Sequence, residues 1–239
     1  MSGLKGIFKS ASIVSGNNVL VSGFNFLTFL LMFNALGTFG FGLYTLAISF
    51  LSFATFFVDT GLSKVVVVDV SKYLNEKREK SASGLFKGYV FYVTLIAFLT
   101  TVLSLIFAEP IASYLGRDIS TLIQLIGILI FLSGLKSIYS TSFEITAEFK
   151  KFASFRFLDS LIKLIFVFVT VTFIGSTVEN VLGALIIAEI LLIIGFFLQI
   201  PKTIKKLFRN PDSDKNLFFE MIKRHGKWAA VFSQVRSFD

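Results

Sequence analysis

The segment Phe41–Val68, FGLYTLAISFLSFATFFVDTGLSKVVVV, constrains the fold more than any other part of the sequence. It is long enough to cross a bilayer as one helix, since about 20 apolar residues rising 1.5 Å each span the ~30 Å hydrocarbon core. It also contains Asp59 and Lys64, which a helix facing lipid on all sides would not tolerate. Helical spacing places its polar residues on one face: Thr45, Ser49, Ser52, Asp59 and Ser63. Because lipid cannot hydrate such a face, we expect it to line a cavity or contact protein.

The composition indicates an integral membrane protein. Of 239 residues, 54% are hydrophobic and only 16% are charged, whereas soluble domains carry about 25% charged residues. The net charge of +8 is explained by basic loops on one side of a membrane better than by nucleic-acid binding. The sequence has no cysteine and one histidine, His225, so we expect no disulfide, no thiolate catalysis and no metal site.

The hydropathy pattern predicts an all-α, polytopic membrane protein with six helices. The predicted helices are Ile13–Leu36, Phe41–Val68, Leu85–Phe107, Ile119–Phe143, Phe155–Ile174 and Val178–Ile200. The first two are joined by an uncharged turn at Gly37–Gly42. Charged loops are predicted at Asp69–Lys87 and over 146–156, and Pro110 is expected to end the third helix.

The part of the sequence after the sixth helix divides into two further segments. Residues 202–227 are strongly basic, and we predict in them a short amphipathic helix lying in the membrane interface. Its expected apolar residues are Leu217, Phe218, Met221 and Ile222, opposite Lys223 and Arg224. Residues 228–239 begin a seventh apolar helix that stops too early to span. We therefore interpret the chain as a six-helix unit over 1–201, a linker over 202–227 and a truncated helix.

Basic residues predict the orientation of the chain. Lysines and arginines are concentrated at the N-terminus, in the second and fourth connections and after the sixth helix, whereas the opposite side carries only Arg117. The positive-inside rule then places the N-terminus in the cytoplasm.

Polar residues on the first two helices are candidates for the wall of a substrate cavity. On the first helix, four of them share one face, and on the second, serines repeat one turn apart. The alternative is that they only bond neighbouring helices, at about 0.6 to 2 kcal/mol each. The residues are Ser15, Asn18, Ser22 and Asn25 on the first helix and Ser49 and Ser52 on the second.

Charged residues at membrane depth are the other candidates. Asp59 would bind a proton or cation, form a gating salt bridge, or make a structural hydrogen bond, while Lys64 can reach the membrane surface without any function. Asp159 and Lys163, one helical turn apart, can neutralise each other. Glu189 would be a neutral acid or a partner for a lysine.

The segment YTLAISFLSFATFFVDTGLS, preceded by LGTFGFGL, resembles the second transmembrane helix of prokaryotic polysaccharide flippases. These are the O-antigen (lipopolysaccharide) and teichoic-acid exporters of the multidrug/oligosaccharidyl-lipid/polysaccharide exporter superfamily. KWAAVFSQVRSFD resembles the start of their seventh helix. The resemblance implies two six-helix lobes around a central cavity, of which this chain would supply the N-terminal lobe and its C-terminal partner lobe would be missing.

The same resemblance implies a function. A polyprenyl-linked oligosaccharide would cross the cytoplasmic membrane by alternating access, with its sugars in the cavity and its tail in the lipid bilayer. Lys136 would hold the pyrophosphate as a point charge. Coupling to H⁺ or Na⁺ would occur at Asp59 or Glu189, with no other cofactor.

Other functions remain open. A multidrug exporter of the same superfamily and a non-transporting membrane scaffold are both compatible with the pattern. Catalysis has little support, because the sequence contains no acidic cytoplasmic loop suited to a metal-dependent transferase and no glycine-rich phosphate-binding motif. We therefore expect neither an enzyme nor an ATP-driven pump.

Overall fold

The computed structural model describes residues 2–58, 61–114, 119–211, 214 and 217–224, of which 2–15 are described by their backbone alone. The described residues are almost entirely helical and contain no strand. In chain order the helices are α1 Ser2–Val58, α2 Leu62–Asn75, α3 Glu79–Tyr114, α4 Ser120–Ile145, α5 Phe149–Val169, α6 Val178–Phe197, α7 Lys202–Arg209 and α8, residues 217–224. A π-helical turn, Thr170–Ile174, extends α5.

Helix α1 is folded back on itself at Gly37. This residue has φ 64° and ψ 178°, a conformation that essentially only glycine adopts. The two arms, 2–36 and 38–58, lie side by side, as the ring of Phe41 shows by packing 5.1 Å from Phe29 and 5.4 Å from Phe33 between centroids. The predicted turn at Gly37–Gly42 is therefore correct in position, although one residue is enough to make it.

The predicted helix Phe41–Val68 is not continuous. The second arm of α1 ends at Val58, and α2 begins at Leu62 after Gly61, which has φ 79°. A left-handed residue interrupts the helical ladder, so the prediction of one unbroken helix is wrong. Asp59 lies outside the described residues.

The two charged loops predicted on the same side of the membrane are also wrong. Residues 76–78 and 146–148 are the only breaks there, because α2 and α3 extend into the first predicted loop and α5 begins within the second. Lys77 and Ala147 adopt φ values of 58° and 53°, and one such residue reverses the chain within three positions. We call this end of the bundle, together with residues 202–211 and 217–224, the basic end.

Pro110 does not end α3, which continues to Tyr114. A proline removes only one backbone donor, and in the last turns of a helix few further bonds depend on it. The hydroxyl of Ser113 donates to the carbonyl of Pro110 at 2.9 Å, a local bond within this last turn. The predicted end at Phe107 is therefore about two turns too early.

Helix α4 is the centre of the bundle and packs against α1, α2, α3, α5 and α6. It approaches α3 closely at Gly134, where an added Cβ would lie 2.7 Å from Cβ of Ala97. Beside this contact the fully buried Tyr89 of α3 places its hydroxyl 3.1 Å from both Ser137 and Thr141 of α4. This central position brings α4 side chains to the interior of the bundle.

Five ranges of the described chain are long and apolar enough to cross a membrane. They are Gly16–Asn75, Glu79–Tyr114, Ser120–Ile145, Phe149–Ile174 and Val178–Phe197. The first contains both arms of α1 together with α2. The chain is therefore a multi-pass, all-α membrane protein, and the count of six crossings stays a prediction.

Candidate functional site: a buried ring of alternating charge

Four ionisable side chains from three helices meet inside the bundle. The Lys163 ammonium lies 2.6 Å from Oε1 of Glu189 and 2.9 Å from Oδ1 of Asp159. Lys136 lies 3.0 Å from Oε1 of Glu189 and also contacts Oδ2 of Asp159. Each lysine therefore contacts both carboxylates, and the four groups form a closed ring of alternating charge.

The helices place these groups by simple geometry. Asp159 and Lys163 are one turn apart on α5 and share a face, while Lys136 comes from the central α4 and Glu189 from α6. Glu189 is the most enclosed, with 7% of its side chain exposed. Charges at this depth are costly when alone and tolerable when paired. Two cations and two anions make the ring neutral, which explains how four such residues persist among apolar helices.

The ring includes several of the residues singled out in the sequence. The expected pair of Asp159 and Lys163 is present, and Glu189 contacts a lysine, one of its two anticipated roles. Lys136 does not stand free in the cavity, because two carboxylates already contact it. Binding of a pyrophosphate at Lys136 would therefore require this ring to open.

A cavity of about 350 Å³ lies between the ring and the two arms of α1. Lys163 and Glu189 form its charged wall, and Asn25, Tyr44 and Ser133 contribute further polar groups. The remaining lining is largely apolar and comprises Thr28, Phe29, Met32, Ile48, Leu51, Leu129 and Leu185. The arms of α1 thus cover a small chamber whose polar groups converge on the ring.

A second cavity of about 370 Å³ runs beside the first, between the second arm of α1 and α4. Its lining carries four hydroxyl groups, from Ser52, Thr55, Ser133 and Ser137. Ser133 lines both cavities. Hydroxyl groups of α4 therefore line both cavities.

The polar residues predicted on the arms of α1 occupy different environments. Asn18 accepts a hydrogen bond from Arg156 of α5 at 3.0 Å, which fits the helix-bonding alternative. Asn25 lines the chamber and Ser52 the second cavity. Ser22 and Ser49 are exposed, and the Ser49 hydroxyl donates to the carbonyl of Thr45. Ser15 is not among the residues whose side chains are described.

Two of the chamber's polar residues, Ser133 and Tyr44, were not among the predicted site residues. Ser133 lies one turn before Lys136 on the same face of α4, so helical spacing contained the signal. Tyr44 follows the Gly37 turn and faces Lys163 and Glu189 across the chamber, a position that depends on how the two arms fold together.

Comparisons with known proteins identify a sequence family and a solved structure of similar fold. The sequence profile of a family described as polysaccharide biosynthesis protein matches residues 7–224. No curated protein matches the chain significantly. Among solved structures, the fold is similar to the outward-facing conformation of a multidrug resistance MATE family transporter of the MOP superfamily, with a TM-score of 0.63 and 16% sequence identity. That match covers 81% of this chain and 44% of the transporter.

Proposed function

The chain belongs to the polysaccharide biosynthesis protein family, and we propose that it forms the N-terminal lobe of a flippase for lipid-linked oligosaccharides. The observation that supports this proposal most directly is the buried ring beside a polar chamber. Ionisable groups at membrane depth are rare and usually belong to ion or substrate pathways. A protein that only anchored an assembly would gain nothing from a ring of four such groups, two of which, Lys163 and Glu189, line a cavity.

The match covers 44% of the solved transporter that the chain resembles, less than half of its length. In the proposed mechanism a second lobe faces this one across a central cavity. The sugars of the substrate occupy that cavity while its polyprenyl tail stays in lipid, and the lobes rock to expose the cavity to each side in turn. The exposed hydroxyls of Ser49 and Ser52 on α1 would face the sugars.

Ion coupling is assigned to the ring, with Glu189 as the acceptor of H⁺ or Na⁺. Both lysines contact the same oxygen of Glu189, so neutralising this carboxylate would remove the charge that holds them to α6. Helix α6 could then shift relative to α4 and α5, which changes the shape of the lobe. Asp59 remains the second candidate for coupling.

The proposed location is the cytoplasmic membrane of a prokaryote, with the N-terminus and the basic end on the cytoplasmic side. The lysines and arginines of residues 76–80, 148–156 and 202–224 all support this orientation.

A multidrug exporter is the second candidate function. The fold similarity to a multidrug resistance MATE transporter favours it. Two deletion strains distinguish the two functions. The full-length protein is expressed in cells lacking their polysaccharide flippase and, separately, in cells lacking drug efflux pumps. Restored surface polysaccharide with no increase in resistance to cationic dyes supports the flippase. The reverse pattern contradicts it.

Variants in the full-length protein test the role of the ring. We expect Glu189→Gln to abolish complementation while expression stays intact, and Asp59→Asn is tested beside it. Glu179→Gln is the matched control, because Glu179 is an exposed acid in the first turn of the same helix. Full complementation by the Glu189→Gln variant would end the coupling role of the ring. Full activity after replacing Asp59, Lys136 and Glu189 in turn would favour the scaffold.

A further inference from the structure

The linker after α6 is fixed to the bundle. Helix α7 buries Ile204 and Leu207 at 1% and 2% exposure, and the buried hydroxyl of Ser83 on α3 donates to the carbonyl of Leu207 at 2.6 Å. The Lys87 ammonium donates to the carbonyl of Asn210 at 2.6 Å. Helix α8 buries Phe218 and Met221. The apolar faces of the linker helices are therefore turned toward protein and not, as the sequence predicted for the second of them, toward the membrane interface.

This attachment determines which residues α7 presents outward. Three basic residues share one face of α7, because Lys205 and Arg209 come three and seven residues after Lys202. Ile204 and Leu207 lie on the opposite face. All three cations are exposed, and none has an ion pair with a residue that the structure describes. Lys206, at the edge of this face, is paired with Glu79 at 2.7 Å.

The position of α7 along the chain keeps this face near the membrane surface. Helix α6 is long enough to span and ends at Phe197, and α7 begins at Lys202. Five residues of extended chain reach at most about 17 Å. Exposed aromatic side chains occur on both linker helices, since Phe208 of α7 is 43% and Phe219 of α8 63% exposed. Basic and aromatic residues together are typical of protein surfaces that contact lipid headgroups.

We propose that the outward face of α7, formed by Lys202, Lys205 and Arg209, binds the headgroups of anionic phospholipids. The charge of the face complements a phosphate-rich surface, and the attachment of α7 to α3 keeps the face that carries the three cations turned away from the bundle. The binding site requires only that the chain spans the membrane, and it is independent of the transport proposed above.

The test uses a local fluorescent reporter. This chain contains no cysteine, so Thr203→Cys, at an exposed position on α7, can be labelled with an environment-sensitive dye after any cysteine elsewhere in the full-length protein is replaced. The labelled protein is reconstituted into phosphatidylcholine vesicles containing brominated phosphatidylglycerol or brominated phosphatidylcholine. We expect brominated phosphatidylglycerol to quench the dye at a roughly tenfold lower mole fraction than brominated phosphatidylcholine does. The reason is that each basic residue adds to the attraction between the helix and anionic lipid. Raising the salt to 0.5 M should remove that preference.

Variants identify the residues responsible. The triple variant Lys202→Gln, Lys205→Gln, Arg209→Gln should lose the preference for the anionic lipid. The control Lys72→Gln, Lys77→Gln, Lys150→Gln makes the same change of charge at exposed positions elsewhere on the basic end and should keep it. Equal quenching by both lipids, insensitivity to salt, or an unaltered triple variant would overturn the proposal. Displacement by millimolar inorganic pyrophosphate would also overturn it, in favour of a soluble phosphate ligand. The salt titration of the labelled Thr203→Cys protein, without further substitutions, decides the outcome even if the triple variant does not fold.

Discussion

The ammonium of Lys64 on α2 lies 2.9 and 2.7 Å from the two carboxylate oxygens of Glu144 on α4. The pair joins residues 80 positions apart. It ties α2 to the central helix just after the interruption at Gly61, where the helical ladder gives no support. The Lys64 side chain is nevertheless 60% exposed, so water competes for both groups.

We expect this pair to add little stability. A double-mutant cycle with Lys64→Met and Glu144→Gln should give a coupling of about 0.2–1 kcal/mol, the range of exposed ion pairs. The measurement is thermal unfolding of the full-length protein in detergent. The coupling should shrink further as salt is raised. A coupling above about 2 kcal/mol that ignored salt would show that the pair is shielded from water.

The ion pairs illustrate how far the sequence can predict a site. Asp159 and Lys163 are neighbours on one helix, so their pairing follows from spacing alone. Lys136, Glu189, Lys64 and Glu144 belong to helices whose rotation about their own axes is fixed only by packing. Gly134 permits α4 to approach α3, and that contact helps to set which way Lys136 points. Spacing within one helix was therefore sufficient for one pair, and contacts between helices decided the others.

Unlike the exposed pair of Lys64 and Glu144, the ring should have a large effect on stability when one of its members is replaced. Glu189→Leu leaves two lysines facing the single carboxylate of Asp159, and breaking a buried pair typically costs about 3–5 kcal/mol. We expect a large fall in the thermal midpoint of the full-length protein in detergent, and its transport should be lost as well. Loss of transport alone therefore cannot separate a functional ring from a structural one.

Replacing the whole ring separates these possibilities. A quadruple variant, Lys136→Met, Asp159→Leu, Lys163→Met and Glu189→Leu, removes all four charges of the ring and keeps similar volume. Such replacements are often neutral or stabilising, so the thermal midpoint should return close to that of the wild-type protein. Transport should stay absent, because the proposed coupling site in the ring no longer holds an ionisable group. A quadruple variant that is stable and also transports would show that the ring is only structural.

The close contact between α3 and α4 gives a prediction about packing. Gly134→Ala places a methyl group 2.7 Å from Cβ of Ala97 and 3.3 Å from Cγ1 of Val58, so the helices must separate. Overpacking of this kind costs about 1–3 kcal/mol. Gly183→Ala on α6 is the control, because no atom lies within 4 Å of its added Cβ. The control should be neutral or stabilising by up to about 1 kcal/mol in thermal unfolding.

The two charged loops were wrongly predicted because the sequence does not show which distant residues pack on them. Residues 82–86 of α3 follow a run of lysines and glutamates, which favours a solvated loop, yet they are fully buried. The linker covers them from more than 100 positions away, as the bond from Ser83 to Leu207 shows. The composition of residues 69–87 alone does not indicate that a distant segment packs on them. The helix boundaries at the basic end therefore depend on tertiary contacts that periodicity does not reveal.

Docking of α8 on α3 should depend on Gly88. An added Cβ at this position would overlap the side chain of Phe218, whose ring also packs 5.9 Å from that of Tyr92. Gly88→Val should therefore separate α8 from α3 while leaving the helices of the bundle in place. Hydrogen–deuterium exchange of the full-length protein should increase by at least tenfold over residues 217–224. Gly195→Val is the matched control, since its added Cβ meets nothing within 4 Å, and exchange over the same residues should not change. If both variants left the exchange of α8 unchanged, α8 would not be held in place by its contact with Gly88.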